Sequence, residues 1–327
     1  MYCRSTVNVL PFESTICDML GTRMPDLHNP AVTDFNAITD QRCLDIWTRV
    51  GHRPWTVAWS GGIDSTAIVV SLLRNLRRDQ LDQISIACNT ASIYEYAWFY
   101  HHYIRPNFRT VPAYSILEPE TVQGCVVING NPADQMFPSG GILAMIQSGI
   151  DVDQNMFTYP DALIRYVADR TTDRAAKWLY DRVVASIRAQ DLDLHTYSDM
   201  FWWAQFNFNW TGMLIKLAKK PWLDQGNLRP YLDTVVNWFD TPDYQRWAWQ
   251  CRGRNIARHL GAYKQSIKDY IFDYTQDQYY WKFKTKTGSS SIRLPAGAGA
   301  CVLSDWTVLS DQDIPKILDL LPAHLAA

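Results

Sequence analysis

The sequence predicts an α/β fold: a mostly parallel sheet with helices on both faces, followed by a mainly helical second half. Three observations lead there. Short apolar runs at Thr56–Trp59 and Ile84–Cys88 are each followed by a segment with helical spacing, a Gly-Gly turn joins the first run directly to its helix, and strand signals fade after about residue 150. Short, continuously apolar strands separated by helices are what a parallel sheet buried on both faces requires.

Residues 1–40 carry Pro11, Pro25 and Pro30 among polar residues without periodicity and are expected to form an irregular extension. A helix is expected over Gln41–Val50, a strand over Thr56–Trp59, a helix over Ser65–Leu76, a strand over Ile84–Cys88 and a helix over Tyr94–Ile104. Two more extended segments follow at Thr110–Ser115 and Cys125–Ile128, which completes an α/β region over 41–150. In 151–327, apolar residues spaced by three and four, such as Trp178, Val183, Val184 and Ile187, predict helices. The last stretch opens on the loop-like TKTGSSS at Thr285, passes PAGAGA and ends in a short apolar helix near Ile314–Leu321.

Lys+Arg 31 against Asp+Glu 33 gives a net charge of -2, which lacks the electrostatic footprint of a dedicated nucleic-acid binder. The most apolar stretch, Thr56–Val70, is broken by Ser60, Gly61, Gly62 and Asp64, so no run reaches the ~18 apolar residues that a membrane span needs. The N-terminus has no apolar h-region, and a cytoplasmic location is expected. Seven cysteines at irregular gaps without a CxxC predict reduced thiols and no zinc site. Arg74, Arg77 and Arg78 are expected to be a solvated helix end.

The string Val57-Ala58-Trp59-Ser60-Gly61-Gly62-Ile63-Asp64-Ser65-Thr66 runs from an apolar strand through two glycines into a helix. Glycines let backbone N–H groups approach an anion, the helix start adds partial positive charge, and Ser60, Ser65 and Thr66 offer hydroxyls. Asp64 repels a phosphate, so its useful role there is to hold Mg²⁺ between phosphate oxygens. No GxxxxGK[ST] occurs in the chain.

This SGGxDS string resembles the pyrophosphate loop of the N-type ATP pyrophosphatases, the PP-loop superfamily with the adenine nucleotide alpha hydrolase-like (HUP) fold. Three further stretches, in order, are similar to the synthetase domain of asparagine synthetases and their lactam- and lasso-peptide-forming relatives. Ile128-Asn129-Gly130-Asn131-Pro132-Ala133-Asp134-Gln135-Met136-Phe137 resembles the family's G-E-G-[AS]-D-E-x-F loop, with Asp134 and Phe137 matching. Arg229-Pro230-Tyr231-Leu232-Asp233 resembles R-x-P-F-L-D. Lys264-x-x-Ile267-Lys268, followed by Trp281-Lys282-Phe283-Lys284, resembles K-x-x-L-R followed by R-x-K.

The resemblance, over about residues 41–290, implies an ATP-dependent ligase that adenylates a carboxylate, releases pyrophosphate and forms an amide with ammonia or an amine. It implies ATP and Mg²⁺ as cofactors, Asp64 and Asp134 as metal ligands, and Ser60, Gly61, Gly62, Ser65 and Thr66 around pyrophosphate. Adenine is expected against backbone near Trp59 and Cys88. Lys284 is expected to neutralise the leaving group, with Lys282 the alternative by spacing from Gly288. Lys282, Lys284 and Lys286 alternate, so a strand or extended loop would put all three on one face toward phosphates, with an exposed basic loop as the alternative.

Two departures shape the expectation. Some 40 residues precede the synthetase-like region and Cys3 is not a glutaminase nucleophile, so nitrogen is expected from ammonia, a substrate amine or a separate amidotransferase subunit. Asn131 stands where the family has a Glu that assists the nitrogen nucleophile, and an amide takes no proton at neutral pH. That argues against aspartate-to-asparagine chemistry and leaves Glu95, His101 and His102 as candidate bases. Two rival readings stand beside the ligase: a PP-loop nucleic-acid modifier, disfavoured by the charge, and a nucleotide-binding protein without turnover. The aromatic run Met200–Trp210 is expected to pack a core, with an acceptor pocket wall as the alternative.

Overall fold

The computed structural model describes residues 24–28, 34–113, 124–137, 139–210, 213–214 and 228–285. The expected loop at 286–291, the PAGAGA run and the helix near Ile314–Leu321 lie outside them, as do Lys286 and most of the N-terminal extension. Five strands run β1 Trp55–Ala58, β2 Ile84–Cys88, β3 Arg109–Pro112, β4 Val126–Asn129 and β5 Val235–Asn237. The principal helices are α1 Phe35–Val50, α2 Ile63–Asn75, α3 Thr90–Glu95, α4 Ser139–Gln147, α5 Pro160–Ala168, α6 Asp173–Ala189, α7 Tyr197–Trp203, α8 Leu228–Thr234, α9 Pro242–Gln250, α10 Gln265–Thr275 and α11 Gln278–Phe283. None is long and apolar enough to cross a membrane.

Of the described residues, 34–131, 228–239 and 266–285 form one compact unit, and 24–28, 132–214 and 240–265 form a second. The first unit holds one sheet in the order β3-β2-β1-β4-β5, with every pair parallel. Trp55 of β1 pairs in register with Ile84 on one side and Val126 on the other. All residues of β4 and β5 are buried, so both faces of the sheet are covered there, as the apolar strands require. The strand order changes direction between β1 and β4, the place where open parallel sheets bind ligands at their carboxyl ends.

Strand β5 is the one strand among the described residues of the mainly helical second half, where the sequence predicts none. It pairs Val127↔Val235 and Ile128↔Val236, and is too short for its own sequence to announce it. Helix α1 begins six residues before the expected Gln41, because the Asp34 side chain accepts from the backbone N–H groups of Asn36 and Ala37. The expected helix over Tyr94–Ile104 is instead α3, a short turn and a π-helical turn at Tyr100–Ile104, and the expected strand at Thr110–Ser115 is β3, ending at Pro112.

In the second unit, hydroxyl caps start the helices: Thr172 for α6, Thr196 for α7 and Thr241, followed by Pro242 at the first position, for α9. Val183, Val184 and Ile187 of α6 are buried, whereas Trp178 is exposed and lies beside the Arg182 guanidinium. The aromatic run packs a core. Trp202, Trp203, Phe206 and Trp210 are fully buried, and the three indole N–H groups donate to Met136 O, Ser186 Oγ and Asp240 Oδ1.

Arg74, Arg77 and Arg78 pair with Asp40, Asp79 and Asp82, the last two at exposed positions. Cys43, Cys88, Cys125 and Cys251 are free thiols, and burial pushes Cys43 and Cys88 up to about 12, which keeps them protonated and unreactive.

Candidate functional site

The loop after β1 leaves the sheet where the strand order changes direction, between β1 and β4. Gly61 has φ +77°, and a Cβ there would stand 2.3 Å from Ser92 O and 2.8 Å from Glu95 Cβ. Only glycine lets the chain turn this tightly against α3. The turn is closed by Ser65, whose Oγ accepts from Ser60 N–H at 3.1 Å and donates to Gly62 O at 3.2 Å. Ser60 Oγ accepts from Gly62 N–H at 3.3 Å and lies 3.1 Å from Ser65 Oγ. Gly62 starts α2 without a side-chain cap.

Thr66 faces inward. It is fully buried and its Oγ1 accepts the Trp59 indole N–H at 3.1 Å, tying α2 to the end of β1. The Trp59 ring stacks on Phe99 and Tyr100 in the core, so only backbone is on offer there. Cys88, at the end of β2, is likewise buried.

Lys284 reaches this loop from the far end of the chain. Its Nζ donates to Glu95 Oε1 at 2.7 Å, with the two side chains 10% and 2% exposed. The approach is set by aromatic packing: Tyr280 stacks on Tyr96 at 3.9 Å, and Tyr96 donates its hydroxyl to Asp277 Oδ2, beside the start of α11. Burial pushes the Glu95 carboxyl up, the Lys284 ammonium pulls it down, and the Asp64 carboxylate pushes it up again. Glu95 Oε2 is buried with no hydrogen bond among the described residues.

Lys282 belongs to α11, its Nζ over the exposed Phe283 ring. The shared face that a strand or extended loop would give Lys282, Lys284 and Lys286 does not form between Lys282, inside a helix that ends at Phe283, and Lys284, just after it. Of the two candidate lysines, Lys284 is the one beside the glycine loop.

The loop after β4 meets the loop after β1. A Cβ on Gly130 would stand 3.1 Å from Asp64 Cβ and 3.5 Å from Ser65 N. Asn129 anchors it: its Oδ1 accepts from Asn131 N–H at 2.9 Å and from the Asn131 amide at 3.0 Å, while its Nδ2 donates to Asn237 Oδ1 at 2.9 Å. The Asn131 side chain is folded back onto its own loop as a donor, a bond that an ionised Glu in its place has no proton to make. Asn129→Leu is expected to cost about 2 kcal/mol, since it strands two buried or half-buried partners. Equilibrium urea unfolding measures this, and a cost under about 0.5 kcal/mol would show that the bridge is dispensable.

Asp134 belongs to the other unit. Its Oδ1 accepts from Lys264 Nζ at 2.5 Å and from Tyr263 O–H at 3.2 Å. Lys264 is 3% exposed and holds a left-handed backbone at φ +50°, just before α10. Lys268, four residues on, is fully buried, and burial lowers its pKa. The segment Arg229–Asp233 lies in α8, where Arg229 and Asp233 pair at 3.2 Å on the exposed side and Tyr231 is buried. His101 and His102 are exposed on the π-helical turn, with His102 Nδ1 2.8 Å from Trp98 O.

The structure thus gathers Ser60, Gly61, Gly62, Asp64, Ser65, Glu95 and Lys284 around one turn. Sequence reasoning did not reveal Asn129 and Asn237, or that Glu95 is the partner of Lys284. Among the described residues, no group of three or more His, Cys, Asp or Glu side chains is arranged to hold a metal. No protein family, curated protein or solved structure matches the chain in comparison.

Proposed function

We propose that the chain is an ATP-dependent, AMP- and pyrophosphate-releasing ligase of the asparagine synthetase-like kind, and that the sheet unit is its nucleotide site. The observation that carries this reading is the delivery of Lys284, 189 residues from its partner Glu95, to a glycine turn at the point where the strand order changes direction. A positive-φ glycine, an uncapped helix start and one buried ammonium make a turn that fits phosphate oxygens.

In this reading a substrate carboxylate attacks the α-phosphorus of ATP, pyrophosphate leaves, and ammonia or an amine then displaces AMP from the acyl adenylate. The loop amides and Ser60 hold the β- and γ-phosphates in line. Lys284 neutralises the charge that grows on the leaving pyrophosphate. Bound Mg²⁺ would supply further charge neutralisation, and Asp64 is the residue beside the loop that would hold it. Asp134 is the second expected ligand, and its Oδ1 already accepts two donors. Asn131 accepts no proton from the nucleophile, which sets the chemistry apart from aspartate amidation.

A second reading, nucleotide binding without turnover, is favoured by those same two details, the folded-back Asn131 and the engaged Asp134. One experiment separates them. The protein is incubated with ATP, Mg²⁺, ammonium and pooled amino acids, and AMP and pyrophosphate are measured against Asp64→Ala. Substrate-dependent AMP release that the substitution reduces at least a hundredfold is expected. ATP binding with no AMP from any pool would select the second reading.

A further inference from the structure

Glu95 is an odd neighbour for an anion site. Its carboxyl is 2% exposed, its Cβ would be 2.8 Å from a Cβ on Gly61, and its Oε1 would be 3.7 Å from one on Gly62. A second carboxylate, Asp64, acts on it from α2. Lys284 is the cation bonded to Glu95, so in the ligand-free protein it neutralises this carboxylate rather than standing open to phosphate.

We propose that Glu95 is a positioning residue that stores Lys284 beside the glycine loop and competes with bound phosphate for it, so that the loop releases pyrophosphate readily. This rests on the nucleotide-site reading above and adds a role for a residue in that site. The physical argument is an exchange. When phosphate oxygens take the ammonium, a buried carboxylate is left without its counter-charge, and that cost is subtracted from the binding energy. The loop therefore binds a polyphosphate less tightly than its amides and lysine alone would dictate. A catalyst that must let pyrophosphate go gains turnover from such a restraint.

The alternative is simpler: Glu95 merely anchors Lys284 in place, and losing it sets the lysine adrift. The two differ in sign. Inorganic pyrophosphate is titrated calorimetrically in Mg²⁺ buffer into the wild-type protein, Glu95→Gln, Lys284→Met and the double variant. Glu95→Gln is expected to bind pyrophosphate about tenfold tighter, the scale of one charge-assisted hydrogen bond. In the Lys284→Met background the same change is expected to shift affinity less than about twofold, because the competition runs through the lysine.

Unchanged or weaker binding by Glu95→Gln overturns the proposal, and so does an equal gain without Lys284, which would mean direct repulsion of phosphate. Should Glu95→Gln fail to fold, Glu95→Asp reads the same sign, since a side chain one methylene shorter lengthens the ion pair and should also tighten binding. A wild-type protein that binds no pyrophosphate would defeat the nucleotide-site reading itself, a different result from binding that the variant leaves unimproved.

Discussion

Gly61→Val is expected to destabilise the sheet unit by about 4 kcal/mol, whatever the loop binds. Two separate costs add. At φ +77° an L side chain is strained, and a β-branched one most of all, for about 1–3 kcal/mol. The new Cβ would also sit 2.3 Å from the Ser92 carbonyl oxygen, a backbone atom that cannot swing aside, and relieving such overpacking costs about 1–3 kcal/mol more. Gly62→Ala is the control. Gly62 has φ -77°, and the nearest atom to its added Cβ is Ser60 Oγ at 3.1 Å, the end of a small side chain. Its cost is expected to stay within about 1 kcal/mol. Equal urea midpoints for the two variants would show that the turn is not held as described.

The contrast between these glycines shows what the sequence could and could not convey. That a turn lies between β1 and α2 is local information, written in Ser60-Gly61-Gly62, and the structure has it there. Which glycine is irreplaceable depends on α3, thirty residues on, whose Ser92 carbonyl fills the space. The same division runs through the fold. Strands β1, β2 and β4 are legible because each is an apolar run long enough to read alone, whereas β5 is three residues whose strand character exists only through pairing with β4. Trp178 fits the helical spacing of α6 and still lies outside, since spacing identifies a stripe and not its edge.

Among site residues, the departure at Asn131 is visible in the sequence, but the reason it fits is not. Asn131 bonds to Asn129 two residues away, but Asn129 is itself held by Asn237, 108 residues along the chain, a bond that no local pattern records. The Glu95–Lys284 pair is non-local in the same way. Spacing from one motif favours Lys284 and spacing from another favours Lys282, and it is contacts distant in sequence, the stacking of Tyr280 on Tyr96 and the Tyr96–Asp277 bond, that accompany Lys284 at the loop.

That choice sets the second large effect. On the ligase reading, Lys284→Met should lower the rate of AMP release about a hundredfold or more, the usual loss when one preorganised donor to a developing charge is removed, while Lys282→Met should stay within about twofold. The substitution also bears on stability through Glu95, with a definite sign. Burial and Asp64 both raise the Glu95 pKa above its ordinary 4.5, and Lys284 opposes them. Without the lysine the folded-state value rises further.

A carboxyl raised on folding contributes its full stability below its unfolded pKa and loses it as the pH climbs through the folded value. Lys284→Met should therefore cost little near pH 4 and progressively more toward neutrality, reaching about 3 kcal/mol if the carboxylate is forced to stay ionised. Lys282→Met should show no such slope, because its side chain is solvated at the surface. Urea unfolding of both variants from pH 4 to 8 would test it: a flat Lys284→Met difference means that Glu95 does not depend on this lysine, and parallel losses of AMP release in both variants mean that neither lysine is singled out by the loop.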